Sequence, residues 1–238
     1  MIDVPIDVLK QFPVETTSGD NGECVGFSVG DVIGNIMGHP MDIEFSYAAG
    51  LYMSGTVPET NGEDPAAAMA AAVVFGALPL LDEGQPEPQL YAANFANYTP
   101  AQKSIASQYA QNGILQLTSY TAIANYILQY QKGAIMAVSW YDSFNTRVVN
   151  GVLPMPLPGE QPISSHCVAV YDSNAQGLII NAWTGQYLIM PLSVFNVCFV
   201  EAFGFDPNAW RWLSLVKIAL QYPRMIRAIL PMLSTSTS

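Results

Sequence analysis

Three residues of this sequence have the types and the order that covalent amide chemistry requires: Cys24, His166 and Asn181. Cys24 follows a Gly-containing turn and opens a stretch with helical patterning that runs to about Met37. A helix N-terminus stabilises a thiolate, and its backbone N–H groups face a developing oxyanion. A thiolate nucleophile needs an imidazole to move the proton and a third group to orient that imidazole. The chain has two histidines. His166 opens a β-type run and Asn181 ends the next one, so adjacent antiparallel strands are expected to bring the two close. Each residue also has a plainer reading. Cys24 alone reads as a buried cysteine, His166 as a hydrogen-bonded core histidine and Asn181 as a turn residue. Cys167 follows His166 on a strand and so faces the other side; it reads as core, as does Cys198. His39, in Gly38-His39-Pro40, reads as part of a helix end.

The elements that would carry these residues fall in two groups. Residues 1–21 read as an extended, turn-rich lead-in. The helix from Cys24 contains glycines spaced by four (Gly22, Gly26, Gly30, Gly34, Gly38). Such a stripe predicts close approach of another backbone. Residues 43–54, the Ala-rich run 66–77 with Asp64 as N-cap before Pro65, residues 102–111 and residues 120–131 read as further helices. Residues 79–100 read as a long Pro-rich, acidic surface loop, and 113–118 as a short strand. After Gly133 the pattern turns to strands: 134–140, 166–171, 178–182 and 187–191, with turns between them. Helices first and strands second predict an α+β chain with two lobes.

Three segments resemble the papain-like cysteine peptidases. Asn21-Gly22-Glu23-Cys24-Val25-Gly26-Phe27 is similar to their nucleophile segment. Ser165-His166-Cys167-Val168-Ala169-Val170-Tyr171-Asp172 is similar to their histidine strand. Leu178-Ile179-Ile180-Asn181-Ala182-Trp183-Thr184-Gly185 is similar to their asparagine strand, and Tyr187–Pro191 to the strand that follows. The resemblance implies a helical left lobe holding Cys24 and an antiparallel β right lobe holding His166 and Asn181. It also implies that Trp183 shields the His–Asn pair. The family's side-chain amide donor to the oxyanion, six residues before the nucleophile, is replaced by Ser18, with Asn21 as a possible substitute. Asp20 and Glu23 would oppose an oxyanion if they point inward. Val25 and Ser165 also depart from the family pattern. The expected organisation is a papain-like domain over residues 1–204 and an apolar, basic helical extension over 205–238.

Composition narrows the partners. The net charge is −11. Residues 1–210 hold all 19 acidic residues and four basic ones, which excludes phosphate-backbone binding to this body. The other four cations, Arg211, Lys217, Arg224 and Arg227, lie in an acid-free tail. That tail is expected to dock on its own domain, to mediate self-association or assembly through residues 205–233, or to rest on a membrane interface. Three cysteines argue against a disulfide framework. No metal-ligand spacing and no phosphate-binding glycine loop is present, so neither metal nor cofactor is expected. The N-terminus lacks signal-peptide features, giving a cytoplasmic or virion-associated expectation. The functional readings are a cysteine peptidase acting on peptide or protein, a weakly active or inactive papain-like protein with a structural role in an assembly such as a phage virion, and a cell-wall amidase. Glu23-Cys24-Val25 fits the amidase group poorly.

Overall fold

The computed structural model describes residues 24–38, 40–55, 63–80, 94–183 and 186–235. The expectations for residues 1–21, Ser18, Asn21, His39 and most of the loop 79–100 lie outside these residues. The helical part comprises α1 (Cys24–Met37), α2 (Ile43–Ser54), α3 (Pro65–Val74) and α4 (Pro100–Ser107). Side-chain caps set the starts of α2, α3 and α4. Asp42 accepts from the Phe45 N–H at 2.8 Å, and Asp64 accepts from the Ala66 N–H at 2.8 Å. Thr99 and Gln102 cap α4 reciprocally. The glycine stripe has the predicted consequence. A Cβ on Gly26 would sit 2.7 Å from the Tyr47 Cβ, and one on Gly30 would sit 3.3 Å from Ile43. The α2 backbone therefore lies directly against α1.

The β part is a six-stranded antiparallel sheet in the order β1-β6-β2-β3-β4-β5. Its strands are β1 (Ile114–Gln116), β2 (Ala134–Trp140), β3 (Ser164–Ser173), β4 (Leu178–Trp183), β5 (Gln186–Met190) and β6 (Phe199–Phe205). Helix α5 (Tyr120–Tyr130) precedes β2, α6 (Asp142–Thr146) follows it, and α7 (Leu192–Cys198) runs straight into β6. Period-two alternation sends side chains to two different cores. Val168 and Val170 of β3 join Met136, Val138, Ile180, Leu188 and Ile123 on the face away from α1. Cys167, Ala169 and Tyr171 join Ile135, Val29, Val32 and Ile33 between the sheet and α1. The second face is the seam between the helical and the β parts, and Cys24 packs at its edge.

A third core fills the helical part, with Phe45, Met53, Val73 and Tyr98 at its centre. The C-terminal helices α8 (Arg211–Gln221) and α9 (Ile226–Thr235) insert Leu215, Ile218 and Ile229 into it, and the 3-10 turn Pro223–Met225 between them adds Met225. Arg211 donates through Nε and Nη2 to the Val73 carbonyl at 3.3 and 3.2 Å, satisfying the C-terminal end of α3. The tail therefore rests on its own chain along one face, while Trp212, Leu213, Lys217 and Leu220 stay exposed. No helix among the described residues is long and apolar enough to cross a membrane.

Candidate active site

Cys24 is the first residue of α1 and is half-buried. One turn on, the Ser28 hydroxyl donates to the Cys24 carbonyl at 2.9 Å. The i, i+4 spacing points both side chains the same way, toward Cys167 of β3. Burial pushes the Cys167 thiol well above its ordinary range, and the neighbouring Cys24 pushes it further, while Ser28 partly counters. Cys24 thus adjoins Cys167, the residue after His166 in β3, on the α1-facing side of that strand.

His166 lies on the opposite face of β3 from Cys167. It pairs across the sheet with Val138, and its ring meets the Trp140 ring edge-on at 4.8 Å between centroids. Its Nε2 lies 2.8 Å from the Ala182 carbonyl oxygen on β4. A carbonyl can only accept, so Nε2 carries the proton. In the neutral ring this leaves the lone pair on Nδ1. Burial holds the His166 pKa down at about 4, with the Ala182 bond opposing that shift. The ring is therefore neutral at pH 7, with Nδ1 as its basic atom.

Asn181 makes no side-chain hydrogen bond to His166. It sits opposite Ala169, three residues from His166 along β3. An odd offset puts two side chains on opposite faces of a sheet. Asn181 faces α1 instead, where its Nδ2 donates to Asp31 Oδ2 at 2.9 Å. The oxygen that meets His166 Nε2 is the backbone carbonyl of the next residue, Ala182. Sequence reasoning missed Ala182 because every residue carries a carbonyl. Asp31 did leave a signal: it is the sole charge in α1, a helix otherwise built of apolar and small polar residues. It is nonetheless buried. Trp183 is the last residue of β4.

A second acid lies under α1. Glu63 is fully enclosed against Gly50, where a Cβ would occupy the position of its carboxylate. Burial raises its pKa well above the ordinary value; Asp64 adds to the shift, and the Gly26 N–H of α1 works against it. Glu63 in turn raises the pKa of the buried Cys167 thiol, as a nearby like charge does.

No protein-family model and no curated relative matches the sequence. Solved structures do match its shape. Xylellain, a cysteine protease from Xylella fastidiosa, superposes with a TM-score of 0.62 at 14% identity, over 84% of this chain and 88% of that one. The fold is papain-like. Digestive procathepsin L 3 from Tenebrio molitor matches with a TM-score of 0.59 at 16% identity, over 79% of this chain and 64% of that one. The bromelain protease from Ananas comosus matches at 0.53 and 11% identity, over 79% and 90%. Within this papain-like fold the chain is divergent, and at such identities the likeness speaks to architecture.

Proposed function

We propose that this chain is a cysteine-type amide hydrolase acting on peptide or protein, with Cys24 as nucleophile and His166 as base. The hydrogen bond from His166 Nε2 to the Ala182 carbonyl carries this reading. It fixes the tautomer in which Nδ1 can accept a proton, which is the task of the third member of such a triad. In the proposed cycle Cys24 and His166, which approach β3 from different faces, meet near the start of that strand, where Nδ1 takes the Cys24 thiol proton as sulfur bonds to the substrate carbonyl carbon. The carbonyl π electrons move to oxygen, beside the N–H groups of the first turn of α1. On collapse, the C–N bond breaks and the amine leaves with the proton from Nδ1. Water then cleaves the thioester by the same proton relay in reverse.

The test is turnover of an unfolded protein substrate and of short peptidyl amides. Cys24→Ala should lower hydrolysis by at least about 1,000-fold, as removal of a nucleophile does elsewhere. Hydrolysis that persists undiminished in Cys24→Ala would sink the proposal.

One observation favours a second reading, a papain-like protein whose site is slow or silent. Each cycle must form the imidazolium, and the burial that holds His166 near pKa 4 disfavours it. Under this reading the native chain shows no turnover and Cys24 reacts as an ordinary thiol.

A further inference from the structure

We propose that Asp31 is a positioning residue that acts on His166 through Asn181 and Ala182. The inference rests on reading His166 as the base. Asp31 lies two turns into α1, seven residues from Cys24, so its side chain lies on the same broad face of the helix. Its Oδ2 accepts from Asn181 Nδ2 at 2.9 Å. A carboxylate only accepts, which fixes the amide orientation of Asn181. The next residue in the chain presents the carbonyl that receives His166 Nε2–H at 2.8 Å.

The same helix thus supplies the nucleophile position and, two turns later, the anchor of the strand that holds the base. The anchor is needed at this point. The pairing of β4 with β5 becomes irregular between Asn181 and Trp183. The regular ladder there gives less control over the direction of the Ala182 carbonyl. Asn181 lies across from Tyr187 of β5 and Ala169 of β3, and Tyr171 of β3 shares that face. Burial raises the pKa of both tyrosines, and the nearby Asp31 carboxylate raises it further. The Asp31–Asn181 hydrogen bond ties α1 to β4, with Tyr171 of β3 and Tyr187 of β5 beside it.

The readout is the tautomer of His166, taken from the 15N shifts of its ring in the full chain at pH 7. The sequence has two histidines, so assignment needs one further variant, His39→Gln. The native ring should be protonated at Nε2. Asn181→Ala should convert it to a mixture of tautomers and slow alkylation of Cys24 on the order of 100-fold, the cost of misplacing a reacting group by about 1 Å. The swapped double variant, Asp31→Asn with Asn181→Asp, restores an amide–carboxylate bond and should restore the tautomer. If Asn181→Ala does not fold, the isosteric Asp31→Asn carries the same readout, with a smaller shift in the same direction. A folded variant whose tautomer matches the native ring would overturn the proposal. The shift is independent of turnover. A changed tautomer beside an inert Cys24 would uphold the positioning role and reject the hydrolase reading.

Discussion

Acidifying the protein from pH 7 to pH 4 should cost it about 3 kcal/mol through His166 alone. The folded-state pKa is about 4, against 6.5 for a free histidine. Each unit of difference is worth about 1.4 kcal/mol. Because the shift is downward, the unfolded chain binds the proton first. Stability is therefore at its full value above about pH 6.5 and falls as the pH drops toward 4. The cause is physical enclosure: the ring packs against Trp140 and the Ala182 carbonyl, and burial is the largest influence on it. The measurement is urea unfolding of the native protein and of His166→Phe, which keeps an aromatic ring against Trp140 without a titrating group. The difference between the two stabilities should change across this window. Parallel curves would show that His166 is already protonated, or is solvated, in the folded protein.

Glu63 should produce the opposite slope on the alkaline side. Its folded-state pKa is raised, chiefly by burial. The folded protein then holds a proton that the unfolded chain has released above about pH 4.5. Stability from this group is complete below that value and is lost as pH rises toward the folded pKa, at about 1.4 kcal/mol per pH unit. Glu63→Gln keeps the shape that fits against Gly50 and removes the titration. Its stability should gain on that of the native protein as the pH rises above about 4.5. If the two proteins keep a constant difference, Glu63 is ionised in the fold.

Much of the papain-like architecture is legible in the residues. The glycine stripe of α1 announces a close backbone neighbour, and Tyr47 with Ile43 supplies it. Asp64 before Pro65 marks the start of α3, and β2 coincides with the Ala134–Trp140 run. Strand β6 was not legible. It follows α7 with no Gly or Pro between Cys198 and Phe199, so nothing punctuates the change from helix to strand. Yet it occupies the middle of the sheet, between β1 and β2. Gly204 is there because the Tyr126 ring fills the space a side chain would need.

The site was legible in part. Neighbouring strands do carry His166 and Asn181, as their spacing suggested. Nearness in a sheet, however, is decided by parity as well as by distance. The register Ala169 opposite Asn181 sends the amide to α1 and the imidazole to the other face. Sequence spacing could not supply that register, because the pairing of β3 with β4 shifts between Val170 and Asp172. The backbone carbonyl that meets His166 Nε2 has no sequence signature. What the sequence did offer, unread, was a lone buried carboxylate in an apolar helix.

The central claim is that Cys24 and His166 act as one chemical unit, and alkylation of Cys24 tests it most directly. The other two cysteines are quiet partners in such an experiment: both are buried, with thiols raised in pKa, Cys198 to about 12. Iodoacetamide at pH 6, with mass mapping of the modified residue, reads Cys24 in the native protein and in His166→Ala. The account predicts modification of Cys24 well above the rate of a small thiol at that pH, and a fall of about 100-fold or more when His166 is removed. A native rate equal to that of a small thiol, unchanged in His166→Ala, would contradict it.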